Sequence, residues 1–111
     1  MNIDELTLGQ VKEINSLTSQ TQKKHSLYTK LIGRNLLIRT VTMIYTGNLI
    51  EESEGELLLT DAAWIPETKR WMDTLKTCDF NEVEPYIEDL IINKLSILDV
   101  TIIDHLPREQ K

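Results

Sequence analysis

Residues 34–62 read RNLLIRTVTMIYTGNLIEESEGELLLTDA, and this segment determines the fold class. Apolar residues, many of them β-branched, alternate with polar ones on either side of an acidic, glycine-containing segment at 51–55. Such alternation indicates strands with one buried face. Gly47 falls inside the pattern, where a glycine favours a bend or bulge. The segment therefore predicts three consecutive antiparallel strands, a meander, bent at Gly47.

Helical signals flank this meander on both sides. Thr7 and Gln10 fit a capping box, and the apolar stripe after them predicts a helix over about 8–18. Beyond the meander, Pro66 suits the first position of a helix, which predicts a short helix over about 66–77.

The last part of the sequence predicts two more strands. Segments 90–92 and 95–103 are rich in Ile, Leu and Val. The turn between them falls at Asn93-Lys94, where asparagine tolerates the positive φ of a tight hairpin. The acidic segment 78–88 is expected to be a loop, and the polar tail 105–111 is expected to be loosely held.

The composition fits one globular domain over residues 1–111. The chain is 41% hydrophobic and 27% charged, and no apolar run approaches the ~20 residues of a membrane span. A start without the apolar segment of a secretory signal, and a single cysteine, Cys78, favour the cytoplasm. The sequence lacks a glycine-rich phosphate loop, a catalytic triad spacing and a paired-histidine metal motif. We therefore expect no enzyme, and no catalytic, cofactor-binding or metal-binding residue.

The net charge of −6 is unevenly distributed. Residues 1–44 carry six Lys/Arg and three Asp/Glu, whereas residues 45–111 carry six Lys/Arg and fifteen Asp/Glu. A chain this acidic is a poor general nucleic-acid binder, because phosphate contacts supply most of that affinity. Two alternatives stay open: a local basic face in the first part, or a head-to-tail contact between the basic and acidic faces of two copies.

Two sets of segments resemble the motifs of Sm-like proteins. Those similar to the first Sm motif are Gly33, Leu37-Ile38-Arg39, Tyr45-x-Gly47-x-Leu49 and Leu57-x-Leu59-x-Asp61-Ala62. The one placed where the second motif should be is Ile91-Ile92-Asn93-Lys94-x-x-Ile97. The resemblance covers about residues 26–103. The whole chain also resembles small proteins encoded by bacteriophages, through Asp61-Ala62-Ala63-Trp64-Ile65 and Leu106-Pro107-Arg108-Glu109-Gln110.

The resemblance to Sm-like proteins implies a mainly β fold. It would be a five-stranded, strongly bent small barrel with an N-terminal helix and a short helix inserted between strands 3 and 4. The insertion would span 63–85 and the last two strands 86–103. In Sm-like rings the fourth strand of one copy pairs with the fifth strand of the next, so the resemblance implies a homo-oligomer. The expected subunit-interface residues are Ile91, Ile92, Ile97, Val100 and Ile102.

The resemblance also implies a nucleotide pocket, from which this sequence departs. The family has an Asp and an Asn near the second turn, where this chain has Ser53, Glu54, Gly55 and Glu56. Asn93-Lys94 stands where the family has an Arg-Gly pair. RNA binding is therefore the less favoured alternative. The residues that would carry it are Lys23, Lys24, Lys30, Arg34, Arg39, Asn93 and Lys94.

Three bulky aromatic residues, Trp64, Trp71 and Phe80, surround the insertion. They either pin the short helix onto the barrel or form an exposed patch for a protein partner. The expected function is that of a non-enzymatic, phage-encoded Sm-like ring protein, an assembly or protein-interaction module. Its expected place is the cytoplasm of a bacterial cell or of a phage-infected host, without a membrane partner.

Overall fold

Three successive strands form the centre of the sheet. β1 (Asn35–Thr40), β2 (Ile44–Glu52) and β3 (Glu56–Glu67) pair antiparallel in chain order. The structure, a computed structural model, describes residues 26–111. The strands lie in the alternating segment, and β3 continues beyond the predicted end at Ala62.

The irregularity of β2 lies at Gly47. The register between β2 and β3 shifts between Thr46 and Asn48. A Cβ atom at Gly47 would lie only 3.0 Å from the Cβ atom of Leu59. A residue without a side chain therefore allows β3 to lie this close to β2, and the irregularity predicted at Gly47 is confirmed.

Residues 26–111 contain six strands, one more than predicted. The additional strand, β4 (Glu82–Pro85), lies in the segment expected to be a loop and pairs with the second half of β3. The helix α1 (Trp71–Thr77) begins later than predicted, because Pro66 and Glu67 end β3 instead. The β3–β4 register shifts between Trp64 and Glu67, so the missing N–H of Pro66 falls at a break in the ladder, where it is tolerated.

The last two strands do not form the predicted hairpin. β5 (Leu90–Asn93) pairs with β3, β6 (Ile97–Ile102) pairs with β1, and a 3₁₀ turn over Lys94–Ser96 joins them. Asn93 has a φ of −77°, and its side-chain oxygen accepts a hydrogen bond from the N–H of Leu95. Asn93 thus caps the 3₁₀ turn. The sheet runs β4-β3-β2-β1-β6, and within the described part of the chain β5 does not pair with β6, so the barrel is open there.

Both faces of the sheet are buried, because successive side chains of a strand point to opposite faces. The first cluster consists of Leu36, Ile38, Leu49, Leu57, Leu59, Ala62 and Ile92. The second consists of Leu37, Ala63, Ile65, Cys78, Phe80, Val83 and Ile103. Several members of the second cluster come from the insertion, and one comes from the segment after β6. The insertion therefore covers the second face of the sheet.

The C-terminal tail, residues 103–111, is bound to the rest of the domain. Ile103 is buried, and Leu106 packs against the second cluster. The N–H of Lys111 donates to the carbonyl oxygen of Val83 at 2.9 Å, and the carbonyl oxygen of Lys111 accepts from the N–H of Val83 at 3.2 Å. The expectation of a loosely held tail is therefore wrong, because apolar side chains and main-chain groups of the tail find partners.

A short 3₁₀ helix (Leu27–Leu31) precedes β1, and the hydroxyl of Ser26 accepts a hydrogen bond from the N–H of Tyr28 at its start. The helix predicted over 8–18 lies outside the described residues. Within the described residues, no helix has the length and apolar character needed to cross a membrane.

Candidate functional site

The outer edges of β5 and β6 face no other strand of residues 26–111, whereas the outer edge of β4 is hydrogen-bonded to the C-terminal tail at Lys111. Directly after β5, the N–H of Lys94 donates to the carbonyl oxygen of Gly55 at 2.9 Å. Hydrogen-bonded pairs alternate along an antiparallel ladder, so this bond fixes the pattern of the whole strand. The main-chain groups of Ile92 point towards β3, and those of Ile91 and Asn93 point to the open edge.

The same reasoning applies to β6. The N–H of Ile103 donates to the carbonyl oxygen of Asn35 at 2.9 Å. The main chain of Thr101 therefore points towards β1, and the main-chain groups of Val100 and Ile102 point to the open edge. Within residues 26–111, each open edge presents main-chain groups that no other strand pairs, which is a template for pairing with another strand. On β5, the carbonyl oxygen of Asn93 accepts a hydrogen bond from the hydroxyl of Ser96 at 2.8 Å.

The five residues predicted to form a subunit interface divide into two groups. Ile91 and Ile102 are 61% and 44% exposed. Ile92 belongs to the first core cluster, and Ile97 and Val100 pack against it. The side chains of the second group therefore hold the edge strands on the barrel, and those of the first group are accessible at the open edges.

Leu98 is an exposed edge residue that the sequence did not reveal. It lies on β6 and is 66% exposed. The register between β1 and β6 shifts between Arg39 and Thr40. That irregularity leaves Leu98 without an opposite residue on β1. The sequence pattern of β6 does not indicate where the irregularity lies.

The turn before β3 lies beside the 3₁₀ turn before β6. The Nζ atom of Lys94 lies 2.6 Å from Oε2 of Glu52 and 5.1 Å from the ring centre of Tyr28. Burial raises the pKa of Glu52, but hydrogen bonds from Lys94 and from nearby hydroxyl groups outweigh it, so the pKa is below its usual value. Lys94 thus neutralises a carboxylate of its own chain.

An open depression of about 170 Å³ lies next to this ion pair and to the edge of β5. Its lining residues are Glu51, Glu52, Ser53, Glu56, Leu57, Leu58 and Ile91. Besides Glu52, which is paired with Lys94, they include the carboxylates of Glu51 and Glu56, and carboxylates repel phosphate. The space between the two turns is therefore poorly suited to a nucleic-acid backbone.

Comparison with known proteins identifies a solved structure with a similar fold. No protein-family model matches the sequence, and no curated protein matches it. Among solved structures, the chain is similar to a heptameric archaeal Sm protein, with a TM-score of 0.51 and 17% sequence identity. The match covers 68% of this chain and 94% of that chain. The chain has an Sm-like fold.

In this Sm-like fold, Arg39 is not a free cation. It forms an ion pair with Asp99, which lies directly opposite on β6. Its guanidinium also lies 4.8 Å from the ring centre of Trp71. The hydrogen bond from Arg39 lowers the pKa of Asp99 despite partial burial. Arg39 thus connects the start of α1 to the sheet.

The remaining residues predicted for RNA binding are Lys23, Lys24, Lys30, Arg34 and Asn93. Lys30 and Arg34 are exposed on the segment before β1. Lys23 and Lys24 lie outside the described residues. The side-chain oxygen of Asn93 is occupied by the N–H of Leu95 at 2.9 Å.

The three aromatic residues around the insertion have different environments. Phe80 is buried in the second core cluster, and Trp71 packs against that cluster. Trp64 lies on β3 and is 36% exposed. Trp64 and Trp71 are thus only partly buried, whereas Phe80 lies in the core.

The described residues offer little for catalysis. They contain no group of three or more His, Cys, Asp or Glu residues placed to hold a metal ion. Cys78 is buried. Asp104 and His105 are exposed neighbours whose closest ionisable atoms are 3.8 Å apart. This arrangement has no third group that would orient a base.

Proposed function

We propose that this protein is a non-enzymatic assembly module whose copies join edge to edge into a ring. The observation that carries the proposal is the pair of open edges, on β5 and β6 of the same sheet. A subunit with two such edges binds one neighbour through each of them, and this head-to-tail contact produces a ring when the rotation closes. The heptameric Sm protein with the similar fold supports this assembly.

The open edges match each other in spacing. Ile91 and Asn93 point outwards on β5, and Val100 and Ile102 point outwards on β6. In both strands the outward residues are separated by one inward residue, as an antiparallel ladder requires. Pairing β5 of one copy with β6 of the next would satisfy these groups and cover the exposed parts of Ile91 and Ile102.

The insertion 63–85 supplies the surface for a protein partner in this proposal. Trp64 and Trp71 form it, because tryptophan at a partly exposed site is a frequent anchor of binding. The resemblance of the whole chain to phage proteins supports a role in the cytoplasm of a bacterial cell or of a phage-infected host.

RNA binding is the alternative that the charges disfavour. Lys94 is paired with Glu52, and Arg39 is paired with Asp99. The depression beside β5 is acidic. These contacts remove two cations from the set that would hold phosphate groups, since phosphate contacts supply most of the affinity for RNA.

Sedimentation of the full chain, with and without a fluorescent oligo(U), tests the proposal. We expect a mass well above the 12.9 kDa of one chain and no bound oligo(U) at ~50 mM salt. Ile91→Lys should dissociate the assembly, whereas Ile50→Lys, at an exposed isoleucine on the central strand β2, should leave it intact. A monomeric wild type would refute the proposal, and oligo(U) binding that weakens steeply with salt would favour the RNA alternative.

A further inference from the structure

β4 and β5 lie on the same edge of β3. The first half of β3 pairs with β5, and the second half pairs with β4. The two short strands follow one another along this edge, with residues 86–89 between them. Two stretches of backbone on one side of the sheet are thus placed where another strand could dock.

The β4 half of this edge is already occupied. Val83 and Lys111 exchange both main-chain hydrogen bonds, at 3.2 and 2.9 Å. A mutual exchange of this kind is the hydrogen-bonded pair of an antiparallel ladder. The tail therefore adds one short strand segment to the outer side of β4.

Two further features close the same half of the edge. The N–H of Tyr86 donates to the carbonyl oxygen of Ala62, so the main chain of Tyr86 points towards β3. Because main-chain direction alternates along a strand, that of Pro85 points to the outer edge, where proline has no N–H to donate. Where β4 ends, Arg108 donates from Nη1 to the carbonyl oxygen of Ala62 at 2.7 Å and from Nη2 to that of Tyr86 at 3.2 Å. A docking strand would find few free groups between Val83 and Tyr86.

The tail that occupies β4 is anchored on its own chain. Ile103 and Leu106 pack in the second core cluster, and the amide of Asn35 donates to the carbonyl oxygen of Asp104 at 3.2 Å. The Nζ atom of Lys111 lies 2.8 Å from Asp79. The path from β6 to β4 is thus fixed by contacts at its start and at Lys111.

We propose that the C-terminal tail is an intramolecular guard that closes the β4 half of the edge and leaves the β5 half open to a second copy of the chain. This inference rests on the proposed function for the identity of the docking strand. Without the guard, β6 of a neighbour could slide along β5 towards β4, because a strand edge alone specifies register weakly. With the guard, the neighbour meets a single open site at Ile91 and Asn93.

A cross-strand disulfide tests whose tail occupies β4. Because Val83 and Lys111 form a hydrogen-bonded pair, Glu84 and Gln110 are directly opposite, and Nε2 of Gln110 lies 3.3 Å from Oε1 of Glu84. Chains carrying Glu84→Cys and Gln110→Cys are mixed in ¹⁴N and ¹⁵N forms before oxidation, and the linked peptides are weighed. We expect linked peptides with one isotope only.

The control for this experiment is the pair Glu84→Cys with Glu109→Cys, in which the second cysteine is displaced by one residue and points to the other face. It should give much less disulfide. Mixed-isotope peptides would show that a neighbour's tail occupies β4, and equal yields from the two pairs would show that the tail is not held in this register. Either result would overturn the inference, whether or not the protein forms rings.

Two substitutions at Lys111 test the function of the guard. Lys111→Pro removes the main-chain donor, and Lys111→Ala keeps it while removing the same ammonium group. Loss of the bond from the N–H of residue 111 to Val83 should loosen the second bond of the pair, in which the N–H of Val83 donates to residue 111. We therefore expect the amide of Val83 to exchange hydrogen about tenfold faster in Lys111→Pro than in Lys111→Ala. We also expect Lys111→Pro combined with Arg108→Gln to sediment as a broader range of assemblies than the wild type. An unchanged exchange rate and an unchanged distribution would contradict the guard role, whereas a monomeric wild type would refute the proposed function alone.

Discussion

Ile102→Pro should weaken assembly strongly while the fold is retained. The N–H of Ile102 points to the open edge of β6, so replacing it with proline removes no hydrogen bond of the sheet within one chain. In the proposed ring the same N–H donates to β5 of the neighbour. Thr101→Pro should instead destabilise the domain itself, because the N–H of Thr101 points towards β1 and its hydrogen bond within the sheet would be lost.

The expected loss can be worked out from two contributions. One interstrand hydrogen bond contributes about 0.5–1.5 kcal/mol. Ile102 is 44% exposed in the single chain, and covering that part of an isoleucine contributes roughly 1 kcal/mol. The sum is about 2 kcal/mol for each contact between copies, which weakens each contact about 30-fold. Ile102→Ala keeps the N–H and should weaken it about 5-fold.

Sedimentation equilibrium over a range of protein concentrations measures this difference, and urea unfolding of the same samples shows whether the domain remains folded. The order expected for dissociation is Ile102→Pro first, then Ile102→Ala, then the wild type. A folded Ile102→Pro variant that dissociates at the same protein concentration as the wild type would refute the assignment of this N–H to an intermolecular bond.

Three further substitutions test contacts within one subunit. Lys94→Ala should lower the free energy of unfolding by about 1 kcal/mol, because it leaves Glu52 partly buried without its cation; a urea titration measures this, and Lys94→Ala combined with Glu52→Gln should recover part of the loss. Gly47→Ala should cost about 1–3 kcal/mol, since its Cβ would lie 3.0 Å from Leu59; an unfolding midpoint equal to that of the wild type would contradict the close approach of the strands. The hydrogen bonds from Lys111 and from a second lysine lower the pKa of Asp79, so Asp79→Asn should be less stable than the wild type at pH 7. That difference should begin to shrink as the pH falls below the unfolded value of about 4 and should vanish only below the lowered pKa of the folded state, and unfolding curves at several pH values would show it.

The centre of the fold could be predicted because its signals are local. Alternation over 34–62 indicates strands whatever lies around them, and a glycine at position 47 indicates a close approach wherever its partner is. The helix prediction over 66–77 was wrong at its start, since Pro66 fits both the first turn of a helix and a break in an edge strand. The pairing of β3 with β4 in the folded domain decides that Pro66 belongs to the end of a strand and not to the start of a helix.

β4 and the tail could not be predicted, because few of their residues carry an apolar signal. β4 has one buried residue, Val83, between two glutamates, and its strand character comes from pairing with β3 and with Lys111. In the predicted tail 105–111, Leu106 stands among mostly polar residues and forms no apolar pattern, yet it packs against the second cluster. Such segments adopt their structure only by packing on the rest of the folded domain.

The candidate site depends even more on long-range contacts. Lys94 and Glu52 are 42 residues apart in the sequence, so nothing local shows that the cation is neutralised. The ion pair of Arg39 with Asp99 spans 60 residues. The open edges, in contrast, could be anticipated from the apolar character of the last strands, although the division between Ile91, which is exposed, and Ile92, which is buried, needed the register.

Electron microscopy of the purified full chain tests edge-to-edge assembly most directly. The account predicts class averages that show a closed ring of identical subunits, each touching two neighbours, and the loss of these rings in the Ile102→Pro variant. Particles the size of one chain, or open filaments in place of rings, would contradict it.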